Sequence, residues 1–208
     1  MPSKRHLHLN NFNAHMNDHE LFNTIAVSLP PGSLLHIHGA NGSGKSTLLK
    51  MIAGLKHHQG QLYWQDNEQI HLQAENDIFY LGHKPAIKMT LTAAENIRYL
   101  HSLHDGNLEN IAVILKTIGL HRQNDVLAQQ LSQGQQQRLA LAPLLWVKQP
   151  LWLLDEPLVA LDKRAKEWLS SLFNRHLQQQ GFIILASHEA LSSIEHPIQH
   201  LFLGNIDA

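Results

Sequence analysis

The chain has 208 residues, of which 43% are hydrophobic and 16% charged, and its 16 Lys and Arg against 17 Asp and Glu give a formal net charge of −1. This length suits a single domain with a sizeable core and is too short for two ordinary independent domains. The lack of a basic excess argues against a nucleic-acid binder, and the absence of cysteine excludes disulfides, thiolate catalysis and sulfur-ligated metal.

No segment is typical of a secretory signal or a membrane span. The basic N-terminal stretch lacks a continuous apolar core, and the apolar run at residues 139–147 is about half the ~18 residues that a bilayer requires. The 17 histidines are scattered and show no recognised ligand spacing, so most are interpreted as surface residues and no metal site is predicted from them.

The segment "LLHIHGANGSGKSTLLKMIAGL", residues 34–55, predicts a strand, a phosphate-binding loop and a helix that begins near Lys45. Backbone N–H groups of such a loop converge on phosphate oxygens, and the helix adds its positive end. Lys45 is expected to reach the β and γ phosphates, Ser46 to ligate Mg²⁺ and Thr47 to lie near the α phosphate. The predicted nucleotide-binding residues of this loop are Gly39, Ala40, Asn41, Gly42, Ser43, Gly44, Lys45, Ser46 and Thr47.

The interval that follows predicts a strand at "QLYWQ", residues 61–65, then "DIFYLGH" and two helices. The first helix opens with a capping box of Thr92 and Glu95. The second runs from about Leu108 to Ile118 with a buried stripe and stops at Gly119. Together these helices predict a small helical lobe.

"LSQGQQQR", residues 131–138, is rich in glutamine, which by itself is typical of disorder or of a polar helix face. Ser132 is a good N-cap for a helix through "QGQQQRLALA", and Gly134 would let its first turn approach a ligand closely. Pro143 lacks a backbone N–H and predicts that this helix kinks or stops.

"LWLLDEP" predicts a strand at residues 151–154 that is covered on both faces, as in parallel sheets. Asp155 and Glu156 follow at its carboxyl end, where such sheets bind ligands. Asp155 is the expected partner of Mg²⁺ or its waters, and Glu156 the expected polariser of an attacking water.

These motifs, with "ALD" at residues 160–162 and His188 after the strand "FIILAS", resemble those of ABC-type ATPases. The resemblance covers nearly the whole chain and implies an α/β P-loop NTPase fold with a parallel-sheet core, an antiparallel β portion and a small helical lobe. We expect one domain, residues 1–208, with the core at 1–83 and 144–208 and the lobe, including the glutamine-rich motif, at 84–143.

The resemblance also implies a head-to-tail dimer that encloses two ATP molecules. In it Ser132, Gly134 and Gln135 contact nucleotide bound to the other copy, whereas Gln136 and Gln137 are interpreted as a polar helix face. Gln133 stands where the family usually has glycine.

Further roles follow from the same resemblance. His188 matches the family's switch histidine, which holds phosphate and water in line, and Asp162 is both a helix N-cap and a dimer-interface residue. His83 stands where transport ATPases usually place a glutamine that touches Mg²⁺ or water. Phe12 is a weak candidate for stacking on adenine.

The histidine at position 83, the following "LTAAEN" and the short chain resemble ATP-binding subunits of the cytochrome c maturation system, of the haem-exporter type. This implies ATP and Mg²⁺ as cofactors, two ATPase copies, integral membrane subunits of the CcmB and CcmC type and no nucleic acid. The expected location is the cytoplasmic face of the bacterial inner membrane. Haem export and release of a haem-loaded chaperone both fit.

Three alternatives remain open from the residues. One is a transport ATPase for another substrate, such as a metal ion or a lipoprotein. Another is a soluble ABC ATPase without a membrane partner, although the compact interval before Leu131 has no heptad pattern of the kind carried by relatives with coiled coils. The third is a small-molecule kinase, which has no need of "LSQGQ".

Overall fold

The computed structural model describes residues 5–16, 19–57, 59–65, 69–71, 77–103, 110–191 and 193–204. Its strands are β1 (His6–Met16), β2 (His19–Leu29), β3 (Leu34–His38), β4 (Gln59–Gln65), β5 (Gln69–His71), β6 (Ile78–Leu81), β7 (Leu151–Asp155), β8 (Phe182–Ala186) and β9 (Ile198–Phe202). They form an antiparallel sheet in the order β2-β1-β4-β5 and a second sheet in the order β6-β7-β8-β3-β9.

Every strand pairing in the second sheet is parallel. Both β7 and β8 are buried along their full length, because helices and strands cover both faces of a parallel sheet. The apolar runs "LWLLD" and "FIILA" are therefore central strands, and the predicted α/β fold with an added antiparallel portion is confirmed.

The helices are α1 (Lys45–Ile52), α2 (Ala93–Ser102), α3 (Ile111–Thr117), α4 (Gln133–Ala140) and α5 (Lys163–Gln178), with 3-10 turns at Ala128–Gln130 and Ala142–Leu145. The predicted capping box is present, since Glu95 N donates to Thr92 Oγ1 at 3.2 Å and Thr92 N to Glu95 Oε2 at 2.8 Å. Asn110 caps α3, so this helix begins later than predicted, and Leu108 lies outside the described residues.

One compact unit comprises Met1–His83, Gln149–Glu156 and Phe173–Ala208. Its core joins the inner faces of both sheets to the apolar side of α1. Phe12 belongs to this core and is fully buried. Its ring is therefore not accessible to a base, and the prediction that Phe12 stacks on adenine is wrong.

The second compact unit comprises Lys84–Lys148 and Pro157–Leu172. It begins where the lobe was predicted to begin, but it extends past residue 143 and takes in a later segment. The reason is packing: Leu145, Trp146 and Trp168 lie against the apolar cluster formed by the helices of this unit. Among the described residues, no helix is long and apolar enough to cross a membrane.

Candidate nucleotide-binding site

The loop between β3 and α1 has the backbone conformation that a phosphate cradle needs. Gly39, Gly42 and Gly44 all have positive φ, at 153°, 87° and 93°. A side chain at Gly39 would collide with the side chain of Ser43 and lie 2.6 Å from Leu203 O, so this turn tolerates only glycine. Positive φ at three glycines is the backbone conformation that lets successive N–H groups of such a loop point to one side, so the geometry is compatible with the predicted phosphate cradle.

Lys45, the first residue of α1, is buried and folds back over its own loop. Its ammonium nitrogen donates to Gly39 O at 2.7 Å and to Ala40 O at 3.1 Å. These carbonyls hold the charged end of the side chain in place. An ammonium fixed at this point is positioned to bind the anionic oxygens of a triphosphate.

The carboxyl end of β7 brings an acidic side chain to the same cavity. Asp155 is 3% exposed, and its Oδ2 has no hydrogen-bond partner within the described part of the chain. Burial, reinforced by the charge of Asp155, raises the pKa of nearby Tyr80 to about 12. A buried carboxylate oxygen without a donor, in a cavity that Ser46 also lines, fits the oxygen ligands that Mg²⁺ prefers.

Glu156 follows in a left-handed backbone conformation with φ of 51°, which is uncommon for a residue with a side chain. Its N–H donates to Ala186 O at 2.8 Å, which ties this turn to the adjacent strand. The side chain is 12% exposed, and His188 N donates to its Oε2 at 3.4 Å. The strained turn thereby holds the carboxylate at the edge of the sheet, beside His188.

His188 connects the acidic end of β7 to the phosphate loop. Its Nε2 lies 2.8 Å from Asn41 Oδ1, 3.0 Å from Lys45 Nζ and 3.6 Å from Glu156 Oε1. A ring nitrogen can accept from Lys45 only as a lone pair and donate to Asn41 only as N–H. The protonation of Nε2 therefore decides which of these two partners it can bond.

A cavity of about 320 Å³ unites most of the predicted phosphate and metal residues. His83 reaches it from the segment after β6, and its side chain is exposed. Ser43 is buried behind the loop, and Gly39 and Ala40 face Lys45 through their carbonyls. The lining residues are Asn41, Gly42, Gly44, Lys45, Ser46, Thr47, His83, Asp155 and Glu156.

In the second unit, Ser132 caps α4 as predicted. Gln135 N donates to Ser132 Oγ at 3.3 Å, and Ser132 N donates to Gln135 Oε1 at 2.9 Å, which completes a capping box. The side chain of Gln135 thus already has a partner within its own helix. The other N–H groups of this first turn are the ones that remain for an anion.

Gly134 has a reason within the chain to be glycine. A Cβ at this position would lie 2.5 Å from Ala160 O, so the loop that carries the "ALD" motif packs directly on the first turn of α4. Asp162, in that loop, accepts from Ala165 N at 2.8 Å, which confirms the predicted N-cap of α5. The sequence predicted that a ligand would approach Gly134 closely, and in the structure the backbone carbonyl of Ala160 does so.

The interpretation of Gln136 and Gln137 as a polar face is wrong, because both are half-buried. Gln136 Nε2 donates to Ala128 O at 3.0 Å and Leu131 O at 3.1 Å, and Gln137 Nε2 donates to Pro157 O at 3.1 Å. The α-helix ends at Ala140, before Pro143, as the proline predicts. The glutamines of this motif thus anchor the start of α4 to neighbouring backbone.

Two side chains that sequence reasoning missed also shape these sites. Arg138 Nη1 donates to Ile118 O at 3.0 Å and to Gly119 O at 3.3 Å, which caps the carboxyl end of α3. Tyr80 pairs in register with Leu153 on β7, and this places it near Asp155. Neither contact has a local signal, since each joins segments that are distant in the sequence.

Phosphate loop, acidic strand end and parallel sheet define a P-loop ATPase, and the family model described as ABC transporter matches residues 22–159. The chain belongs to the ABC transporter family. It is 38% identical over 208 residues to the cytochrome c biogenesis ATP-binding export protein CcmA of Vibrio cholerae, covering 96% of this chain and 99% of that protein. The protein of the same name from Yersinia pseudotuberculosis is 37% identical over 193 residues, covering 90% and 88%.

Solved structures agree on the fold. An ABC transporter ATP-binding protein from Pyrococcus furiosus superposes with a TM-score of 0.77 at 24% identity and covers 94% of this chain and 97% of its own. The ATP-binding cassette MJ0796, solved as a dimer in a post-hydrolysis state bound to ADP and Pi, has a TM-score of 0.71 at 26% identity and 88% coverage of both chains.

Proposed function

We propose that this chain hydrolyses MgATP as the energy-coupling subunit of a membrane complex for c-type cytochrome biogenesis. The observation that carries the ATPase assignment is the convergence of Lys45, Glu156 and His188 on the phosphate loop, with Nε2 of the histidine 3.0 Å from the lysine nitrogen and 3.6 Å from the carboxylate. The biological assignment rests on the 38% identity to CcmA over 96% of the chain.

In this mechanism each residue acts from its observed position. Lys45 and the loop N–H groups bind the β and γ phosphates, and Ser46 and Asp155, with His83 at the rim, would hold Mg²⁺, which neutralises phosphate charge when bound. Glu156 polarises the attacking water, and His188 keeps that water and the γ phosphate in line. Catalysis is then mostly positioning and charge stabilisation.

The cycle requires a second copy of the chain. Ser132, Gly134 and the N-terminal turn of α4 close over the triphosphate held by the partner's phosphate loop, with Gln135 fixing the cap. The dimeric relative bound to ADP and Pi supports this arrangement. Hydrolysis is therefore a property of the closed dimer.

The complex also needs membrane subunits, which we assign to the CcmB and CcmC type at the cytoplasmic face of the inner membrane. The second unit exposes Met89, Leu103 and Val113, and large apolar side chains on a surface favour a protein partner. ATP turnover would drive export of haem or release of a haem-loaded chaperone. Both outcomes serve the same assembly step.

Genetic replacement in the native bacterium tests the assignment. Deleting the gene should abolish haem-stained c-type cytochromes, and the wild-type chain should restore them, whereas the Glu156→Gln chain should not. The Glu195→Gln chain, altered at an exposed acidic residue outside the cavity, is the matched control and should restore them. Normal cytochrome c in the deletion strain would exclude the biological role, and rescue by Glu156→Gln would exclude the need for turnover.

A further inference from the structure

A group of three histidines lies on one face of the parallel sheet, outside the nucleotide cavity. His36 and His38 are two residues apart on β3, so their side chains project from the same face. On β9, which runs parallel to β3, His200 is in register with His36. Residues in register on neighbouring strands also share a face, and strand pairing therefore gathers all three imidazoles.

The rings converge more closely than the sheet requires. Side chains two positions apart on a strand are separated by about 6.6 Å along it, yet the ring centroids of His36 and His38 are 3.8 Å apart. Nε2 of His38 lies 2.8 Å from Nδ1 of His200. One ring nitrogen from each histidine lies within 4.8 Å of those of the other two, so three potential nitrogen ligands are gathered in one place.

The innermost ring is also held in orientation. His36 is 2% exposed, and its Nε2 lies 3.1 Å from the backbone carbonyl oxygen of Ser187. A carbonyl oxygen can only accept, so this bond fixes the proton on Nε2 and leaves the lone pair on Nδ1. A backbone carbonyl that orients a histidine through its second nitrogen is a regular feature of protein metal sites.

We propose that His36, His38 and His200 bind a divalent transition metal ion of the zinc class. Imidazole nitrogen suits Zn²⁺, Co²⁺, Ni²⁺ and Cu²⁺, whereas Mg²⁺ prefers oxygen ligands, so this site is chemically distinct from the one at Asp155. Three histidines leave a fourth tetrahedral position, which faces solvent because His200 is exposed.

Metal binding requires the rings to move. Zn–N bonds of about 2.0 Å in tetrahedral geometry place two ligand nitrogens about 3.3 Å apart. The nitrogens of His38 and His200 are now 2.8 Å apart and share a proton, so they must separate by about half an ångström, and that proton must move to the other nitrogen of its ring, to admit the ion. His200 supplies that freedom because its side chain is exposed on β9, whereas His36 is fixed by Ser187.

A metal at this point would act as a clamp between β3 and β9. His38 immediately precedes Gly39, and Leu203 N already donates to His38 O at 2.8 Å. None of the three histidines lines the nucleotide cavity. Metal binding is therefore measurable without nucleotide, and it stands or falls separately from the proposed ATPase function.

Titration of the full-length chain, purified without a histidine tag, tests the site. Zn²⁺ measured by calorimetry should show one tight equivalent, and Co²⁺ should give the visible absorption of a four-coordinate site. His200→Gln removes a ligand and should weaken this binding by at least the roughly tenfold that loss of a ligand's hydrogen-bond partner already costs. His121→Gln, an exposed histidine of the other compact unit, should bind like the wild type.

A gain-of-signal variant guards against a folding artefact. Because the chain contains no cysteine, any thiolate-to-Co²⁺ charge-transfer band in His200→Cys reports ligation at this position. We expect that band together with restored tight binding. Equal Zn²⁺ affinity in the wild type and His200→Gln, or a cysteine variant with no such band, would overturn the proposal and leave only adventitious surface binding.

Discussion

Nε2 of His188 lies 3.0 Å from Nζ of Lys45, so a residue two positions after β8 touches the residue that begins α1. The same nitrogen lies 2.8 Å from Asn41 Oδ1. This one imidazole therefore connects the phosphate loop and the start of α1 with Glu156 at the carboxyl end of β7. A ligand that binds in the phosphate loop is therefore expected to change the contacts of the His188 ring.

Replacing His188 by alanine should lower kcat for ATP hydrolysis by about 100-fold, because a group that orients water and phosphate contributes roughly that factor. Nucleotide affinity should change little, since Lys45 keeps its bonds to Gly39 O and Ala40 O. Steady-state turnover and equilibrium binding of a fluorescent ATP analogue separate the two effects. His121→Ala is the control, and a loss confined to affinity would contradict the assignment.

Replacing Glu156 by glutamine should reduce turnover by about 100-fold or more, because an amide cannot polarise the attacking water. Dimers with bound ATP should accumulate, because the glutamine side chain has nearly the same shape as the glutamate. Gel filtration with light scattering, in the presence of MgATP, measures the dimer. The Glu195→Gln chain should turn over ATP normally and stay monomeric after hydrolysis. Wild-type turnover in Glu156→Gln would remove this carboxylate from catalysis.

Replacing Asp155 by asparagine should raise the Mg²⁺ concentration needed for half-maximal ATPase activity about tenfold or more. The buried Oδ2 without a donor is the atom whose charge is lost. Nucleotide binding in EDTA should be unchanged or slightly stronger, because a negative charge leaves the cavity. Asp125→Asn, at an exposed position, should leave the Mg²⁺ dependence unaltered.

Ser132→Ala tests whether the start of α4 serves more than its own helix. Loss of a serine cap costs about 1 kcal/mol of unfolding free energy, and Thr92→Ala removes the equivalent cap of α2, which makes it a matched control. We expect similar destabilisation in urea for both variants, but lower ATPase activity and weaker ATP-dependent dimerisation for Ser132→Ala alone. Equal activities would confine Ser132 to helix capping.

Acid should destabilise the chain through His176. Burial lowers its pKa from 6.5 to about 4, and its ring stacks on Trp152 at 3.8 Å. Below pH 6.5 this histidine is protonated in the unfolded chain, whereas in the folded chain it is protonated only near pH 4. The free energy of unfolding is therefore greatest above pH 6.5 and decreases as the pH falls from 6.5 to about 4. Between pH 6.5 and pH 4 this one group accounts for about 3 kcal/mol. Urea unfolding of the wild type and His176→Gln at pH 7.5 and 4.5 should show a smaller acid loss in the variant.

Sequence reasoning succeeded where a local motif fixes local geometry. The glycines at 39, 42 and 44, the caps at Thr92, Ser132 and Asp162, and the buried strands "LWLLD" and "FIILA" each follow from rules that act over a few residues. The roles assigned to the site residues in phosphate binding, metal binding, hydrolysis and contact with a second copy all stay predictions.

It failed where burial depends on distant segments. Gln136 and Gln137 have the composition of a solvated face, yet their amides bind the carbonyls of residues that the fold brings alongside. Phe12 enters the core because β1 pairs between β2 and β4. The histidines of β3 and β9 lack ligand spacing along the chain, since only the pairing of two remote strands puts them together.

The order of the parallel sheet has a consequence for biosynthesis. The strand that carries the phosphate loop, β3, is flanked by β8 and β9, and both neighbours come much later in the chain, after β7. A nascent chain on the ribosome therefore cannot pair β3 with β8 before residue 186 has been made, nor with β9 before residue 202. The sheet around the phosphate loop is therefore completed only by segments that are synthesised long after the loop itself.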